Sequence, residues 1–478
     1  MENMTKADLI PLFPYLVLAA MSVVTMLTIA LYRHHGLTAY ITLLTFSAAL
    51  LLTVLLFSLP NQHRTITPLL TIDSYALFFA SIIFAASLLI TVLSYSYLNI
   101  RGGHREEFYV LLLIAALGAS LLAASTHFAS LFLCIETLTI SLYGLTAYLR
   151  ESERGIEAGV KYLILAAVSS AFVLFGMALV YAATGSLAFG SNAARLAMKT
   201  DPLILTSGFA LLIAGIGFKL AVVPFHLWTP DVYEGAPVPV TAFIATVSKG
   251  AVFAVLLRLF IAFDLRAYPA LLTIVAVVAI ASMFTGTLLA LFQANVKRML
   301  AYSSIAHLGY LLVTLLAGGR FAAPAAAFYL AAYIVTTLGA FGVVSVLSPA
   351  DRDADSLEDY RGLARRRPWL AAVFTLMLLS LAGMPLTAGF IGKFSLVAAG
   401  VDQGLWAAVV SLVISSVIGL FFYLRIILTF NESSAGPAPS RQLPALGSGV
   451  LLVLTFLLLW LGIFPGPAIE LIRKAMFF

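Results

Sequence analysis

Six side chains in this sequence are of types that can carry protons, and each lies inside a long apolar run: Glu136, Lys161, Lys219, Lys249, His307 and Lys393. A charged group at the centre of a bilayer costs about 2.5–3.5 kcal/mol on insertion scales, so several of them need a shared polar interior or each other. Glu136 is the one acid well inside a run. It sits in LFLCIETLTISLYG, with Thr139 and Tyr143 at i+3 and i+7 on one helical face. It reads as a proton-carrying acid or as the partner that sets a lysine's charge; a structural ion pair is the bland alternative. Lys219 comes five residues before Pro224. Burial favours a neutral amine and a nearby carboxylate favours the ammonium, so a Lys–Glu pair switches when a neighbouring charge moves.

Lys249, beside Ser248 and near Thr246, is too deep in its run for the stem to reach water. Lys393 follows a Gly/Pro break. Lys161 lies one turn inside its run, where snorkelling competes with function. His307, in AYSSIAHLGY, can accept a proton on one ring nitrogen and release one from the other; a buried structural histidine is an equal reading, as it is for His226. His127 sits at a run's edge. Arg258 and Arg425 lie near run ends and read as anchors, since arginine does not release its proton.

The elements that must position these groups are membrane spans. A transmembrane helix needs about 20 mostly apolar residues. Fourteen such runs are predicted, near 9–31, 37–59, 73–98, 107–124, 127–149, 157–183, 203–229, 237–263, 268–292, 297–317, 323–347, 369–399, 404–430 and 446–467. Span 7 carries Pro224 in GIGFKLAVVPFHLWTP, and span 12 carries Gly383, Pro385, Gly389 and Gly392 in SLAGMPLTAGFIGKF. Proline and glycine breaks survive in membranes where they are buried in protein or line water. Breaks at corresponding positions of two halves point to an inverted-repeat transporter. Spans 7 and 12 are five apart, which predicts two five-helix repeats, spans 4–8 and 9–13. The expected organisation is helices 1–3 in 1–106, one repeat in 107–263, a second in 264–430, and span 14 with a tail in 431–478.

Composition agrees with an all-α polytopic membrane protein. Of 478 residues, 62% are hydrophobic and 10% charged, against about 25% charged in soluble domains. The single cysteine, Cys134, allows no internal disulfide, cysteine-built zinc site or iron–sulfur cluster. No phosphate-binding loop occurs, since Gly392-Lys393 is followed by Phe394, which excludes a single-chain ATP-driven pump. The net charge of +6 reads as topology rather than nucleic-acid binding. Lys and Arg in the loops on the side opposite the termini outnumber those on the termini's side by thirteen to eight, which predicts both termini outside the cytoplasm. The run DRDADSLEDYRGLARRR at 351–367 is a solvated loop or a docking site for a soluble partner.

The stretch KLAVVPFHLWTPDVYEGAPVPVTAFIATVSKGAVFAVLLR at 219–258 resembles the antiporter-like membrane subunits of respiratory complex I, NADH–quinone oxidoreductase. AGVKYLILAAVSSAFVLFGMALVY, FQANVKRMLAYSSIAHLGYLL and SLAGMPLTAGFIGKF extend the likeness over essentially the whole chain. The family pattern has a glutamate in helix 5 and lysines in helices 6, 7 and 8, which Glu136, Lys161, Lys219 and Lys249 match. Lysine at position 393 fits the N-type subunit (subunit N) rather than the M-type. The chain runs only a little past span 14, without the long lateral helix of the L-type.

The resemblance implies a multi-pass subunit of the bacterial inner (plasma) membrane that translocates protons. Its partners would be other antiporter-like and small helical complex I subunits and the lipid bilayer. It implies no cofactor in this chain; NADH oxidation, FMN, iron–sulfur clusters and the quinone site would belong to partner subunits. A subunit of a multisubunit cation/proton antiporter is the second reading. A non-transporting scaffold is the third.

Overall fold

The computed structural model describes residues 9–59, 64–190, 202–433 and 444–476. Among them, thirteen helices are long and apolar enough to cross a membrane by length and composition: Ile10–Leu31, His35–Ser58, Ser74–Arg101, Glu107–Ala124, Phe128–Thr146, Glu153–Thr184, Leu203–Leu220, Val238–Ala262, Pro269–Leu291, Val296–Ala317, Gly319–Leu347, Trp406–Thr429 and Ala445–Ile463. These are spans 1–11, 13 and 14. Span 12 is the interrupted one, made of Pro368–Ala382 and Ala388–Asp402. Burial grades the bundle. Spans 8 and 10 are enclosed on nearly every side, whereas spans 1 and 2 present most of their surface outward. An all-round apolar helix is stable in either setting, because lipid replaces protein as its apolar neighbour.

Both expected breaks are present, and each is closed by hydrogen bonds, as a low-dielectric setting demands. Span 7 stops at Leu220, and a short helix resumes at Trp228–Gly235. Ala221 takes φ +61°, and the Val223–Pro224 peptide bond is cis. The freed groups find partners: Val222 N–H donates to Gly217 O (3.0 Å), Val223 N–H to Ser282 Oγ (2.9 Å), and the Trp228 indole to Phe218 O (3.0 Å). In span 12, Gly383 at φ +88° ends the first half, and Leu386 at φ +69° turns the chain into the second. A Cβ on Gly383 would also lie 2.8 Å from Lys393 Cδ, so glycine is needed there twice over. Span 8 carries a feature the sequence did not announce. Ile244–Ser248 forms a π-helical turn immediately before Lys249, an irregularity often found at functional sites.

Three further elements, which the sequence reading did not anticipate, lie outside the spans. Strands β1 (Arg64–Thr67) and β2 (Leu70–Ile72) pair antiparallel between spans 2 and 3. They are tied to the turn between spans 4 and 5 through Thr126 N–H to Leu69 O (3.1 Å). A C-terminal helix, Gly466–Met476, buries Ile472, Ala475 and Met476 and exposes Arg473 and Lys474. At the opposite ends of the spans, the loop after span 11 folds inward on buried charges.

Candidate functional site

The candidate residues fall into two buried groups and one peripheral one. Span 5 presents Glu136 and Thr139 to spans 6 and 7. Ser170 of span 6 donates to Glu136 Oε1 (2.5 Å), and Lys219 Nζ donates to Thr139 Oγ1 (2.9 Å). Lys219 is 5% exposed, while Glu136 keeps part of its surface open on the side of the bundle. Beyond Lys219 the Phe218, Trp228 and Tyr162 rings pack together, and Phe218 lies 5.8 Å from the ammonium. Among the described residues, no direct hydrogen bond joins this group to the next.

The second group is two hydroxyl clusters, on Lys249 and on His307, that meet through the packing of the Tyr333 and His307 rings. Lys249, fully enclosed, donates to Ser304 Oγ (2.7 Å) of span 10. Ser304 also accepts from Tyr333 OH (2.7 Å) of span 11, with Tyr233 OH at 3.4 Å. One turn on, His307 has Tyr329 OH at 2.7 Å on Nδ1 and Tyr423 OH at 3.2 Å on Nε2. Tyr423 continues to Ser303 by a short hydrogen bond. A neutral imidazole offers one donor and one acceptor, so the two tyrosines occupy opposite roles. The Tyr310 ring lies against His307, and the Lys393 ammonium lies 5.2 Å from it.

Lys393 itself closes the break in span 12. Its Nζ donates to Leu381 O (2.8 Å), Ala382 O (2.9 Å) and Ser416 Oγ (2.7 Å). The first two are end carbonyls of Pro368–Ala382, so the ammonium sits at the negative end of a helix dipole. The sequence marked Lys393 as buried and charged. That the break supplies its ligands follows only from the fold.

Lys161 stands apart. It is part-exposed and pairs with Glu157 (2.6 Å) and Asp231 (2.7 Å), away from both groups. His226 is buried beside the span 7 break, and its Nδ1 meets no hydrogen-bond partner among the described residues. His127 uses its ring nitrogen to cap span 5, accepting from Ala129 N–H (3.1 Å). Arg425 holds Leu291 O and Gln293 O at the end of span 9, in keeping with an anchor. Arg258 is a correction. It does not snorkel but lies buried, with Nη1 and Nη2 on the two carboxylate oxygens of Asp73 (2.9 and 2.8 Å). Asp73 in turn caps span 3 through Ala76 N–H, so the pair fastens the start of span 3 to span 8.

Two ionic residues were missed because they sit at span edges, where charges are ordinary. Lys297, counted from sequence with the loops, is fully buried. It donates to Glu234 O (2.8 Å), Ala236 O (2.7 Å) and Asp353 Oδ2 (2.7 Å). Asp353 also accepts from Tyr97 OH (2.7 Å) and Arg101 Nη2 (2.8 Å). Burial works to raise the Asp353 pKa, but the Lys297 and Arg101 charges and these hydrogen bonds hold it below the usual carboxylate range. For Asp231 burial again opposes, and hydrogen bonds from Lys161 and Arg298 again bring the pKa down. This cluster fixes the connection between spans 7 and 8, and so the ends of the helices that carry Lys219 and Lys249.

Comparison with known proteins agrees with this architecture. The family described as NADH:quinone oxidoreductase/Mrp antiporter, transmembrane, matches residues 124–419. A chain of respiratory complex I from Thermus thermophilus, solved with bound aureothin, is 34% identical over 96% of this chain and 98% of that one, with a TM-score of 0.83. A chain of the membrane-bound sulfane sulfur reductase, an archaeal respiratory membrane complex, is 25% identical over 98% and 97%, with a TM-score of 0.87. A chain of the Mrp complex from Dietzia sp. DQ12-45-1b shares the fold, at 22% identity over 98% and 97% and a TM-score of 0.86. The chain belongs to the NADH:quinone oxidoreductase/Mrp antiporter transmembrane family.

Proposed function

We propose that this chain is the N-type, proton-translocating membrane subunit of an NADH–quinone oxidoreductase, with electron transfer carried out by partner subunits. The observation that carries the reading is the buried succession Lys249, Ser304, His307 and Lys393, three hydrogen-bonded clusters that meet through the packed rings of Tyr333, His307 and Tyr310 and are flanked by the Glu136–Lys219 group. Glu136 is partly open at the side of the bundle, where a charge change in a neighbouring subunit reaches it. Such a change alters the balance that keeps Lys219 protonated. Its proton then moves through hydrated space toward Lys249, along the hydroxyls and His307, and to Lys393. Moving one charge against roughly 150 mV requires about 3.5 kcal/mol. Among the described residues Glu136 and Lys219 form no direct ion pair, each being held by a hydroxyl of Ser170 or Thr139, so the charge change acts on Lys219 through space.

Among the described residues no direct hydrogen bond joins the Lys219 group to the Lys249 group, and that gap gives this path a gate. A proton crosses there only when water or a side-chain movement bridges the two groups. Lys161, held by two carboxylates at the rim, exchanges protons with the aqueous face rather than with the interior.

The second reading, a subunit of a multisubunit cation/proton antiporter, draws on the same family membership. The identity of 34% to a complex I chain favours the first. Native electrophoresis of mildly solubilised membranes, stained for NADH dehydrogenase activity, separates them. Co-migration of this chain with the activity is expected. A separate band without that activity, with cation/proton exchange in vesicles, would establish the antiporter instead.

A further inference from the structure

Three arginines, Arg266, Arg320 and Arg473, lie at the face of the bundle that also carries the C-terminal helix. None makes an ion pair among the described residues. They line two adjoining clefts that share Arg320 and Pro324. The larger, of about 630 Å³, runs between the start of span 11, the second half of span 12 and the C-terminal helix. Its walls are Phe321, Phe328, Phe394, Ala398 and Ile472, and its rim carries Arg320 and Arg473 opposed by a single acid, Asp402. The smaller, of about 300 Å³, adds Arg266, opposed by Asp264.

We infer that this double cleft holds an anionic phospholipid, with the phosphodiester between Arg320 and Arg473 and the upper acyl chain along the phenylalanines. Three observations converge. The arginines exceed the acids in each cleft, so an anion is favoured. The cleft floor is apolar, which suits an acyl chain and offers a free phosphate nothing. The C-terminal helix is amphipathic, with its apolar side buried in the bundle and Arg473 outward, the placement of a helix lying at headgroup depth. A cleft of this size takes the glycerophosphate and the first part of the chains, leaving the rest in the bilayer.

The occupant has a consequence for span 12. Phe394 and Ser395 line the cleft and follow Lys393 directly. The lipid therefore backs the half-helix Ala388–Asp402 beside Lys393 and limits how far that half-helix can move.

The test uses the purified full chain in phosphatidylcholine vesicles, with spin-labelled phosphatidylglycerol and, separately, spin-labelled phosphatidylcholine as probes. An excess of motionally restricted phosphatidylglycerol over phosphatidylcholine is expected. The Arg320→Gln/Arg473→Gln double variant should lose that excess, and Lys474→Gln, next to the cleft but not lining it, should keep it. Ala398→Trp fills the apolar floor without removing charge and should also lose it, with the protein still monodisperse. Absence of selectivity in the unaltered chain would overturn the inference. So would its persistence in the double variant or in Ala398→Trp, or displacement of the lipid by inorganic phosphate. In the intact complex, crosslinking of Ser395→Cys to another subunit would show a protein occupant and overturn it as well. Lipid retention is read without a transport assay, so the result is independent of whether Lys393 carries protons.

Discussion

Lys393 does two jobs that a single deletion would confuse, capping a broken helix and carrying a proton. Its three hydrogen bonds satisfy Leu381 O, Ala382 O and Ser416 Oγ, and bonds from a charged group contribute about 1.5–3 kcal/mol each. Lys393→Met should therefore lower the thermal stability of the extracted protein and also stop translocation. Lys393→Arg separates the roles. It restores a cationic cap but not a releasable proton, so stability should return while proton uptake by vesicles stays low. Full uptake with arginine would reduce Lys393 to a structural cap. Ser304 is the matching test at the other lysine. Ser304→Ala leaves the Lys249 ammonium without its serine acceptor and should slow translocation several-fold while the protein still assembles. At this scale the sequence was informative about charge and, through Thr139, about one polar partner, and silent about most of the others. Lysines and a glutamate stand out in apolar runs, whereas Tyr329, Tyr333, Tyr423, Ser303 and Ser304 look like any hydroxyls in a membrane helix until spans 10, 11 and 13 are brought together.

The breaks in spans 7 and 12 were legible because proline and glycine have mechanical consequences wherever they occur, and a membrane magnifies them. Gly383→Ala puts a side chain at φ +88° against the Lys393 stem. Backbone strain of that kind costs about 1–3 kcal/mol, and a fall in unfolding temperature of the extracted chain would register it. The π turn before Lys249 gave no sign, since IATVS is ordinary helical sequence. The clamp on the span 7–8 connection was hidden for a different reason. Lys297 and Asp353 lie where loops begin, and only packing shows that Lys297 is enclosed and that Asp353 is drawn onto it. The clamp has an acid signature. The Asp353 and Asp231 pKa values lie below their ordinary ones, so ionised carboxylates stabilise the fold fully above the unfolded value of about 3.9. That stability is lost as the pH falls through the lower folded values. Unfolding temperature should thus be insensitive to these groups above about pH 5 and drop below about pH 4. Asp353→Asn should be less stable at neutral pH and show a shallower acid-side drop. An unchanged acid profile would remove Asp353 from the account.

For the molecule as a whole, hydropathy alone led to the thirteen helices long and apolar enough to cross a membrane and to the interrupted span 12, because each apolar run must cross lipid or be covered by protein. The hairpin at 64–72 went unassigned between two spans and the helix Gly466–Met476 was read as part of a tail, although TIT alternation and the spacing of Ile469, Ile472 and Met476 carry the signals. Assembly at this scale places a partly open Glu136 toward one side of the bundle and Lys393, bound to the partly exposed Ser416, in another part of it. The central claim is that the enclosed groups between them conduct protons rather than merely holding helices together. Lys249→Met tests it most directly, since Lys249 is fully buried and an apolar side chain of similar length fills its place. In inverted membrane vesicles containing the assembled complex, the protons moved per NADH oxidised should fall while the chain remains in the complex. An unchanged ratio in Lys249→Met would contradict the account and leave these residues a structural role only.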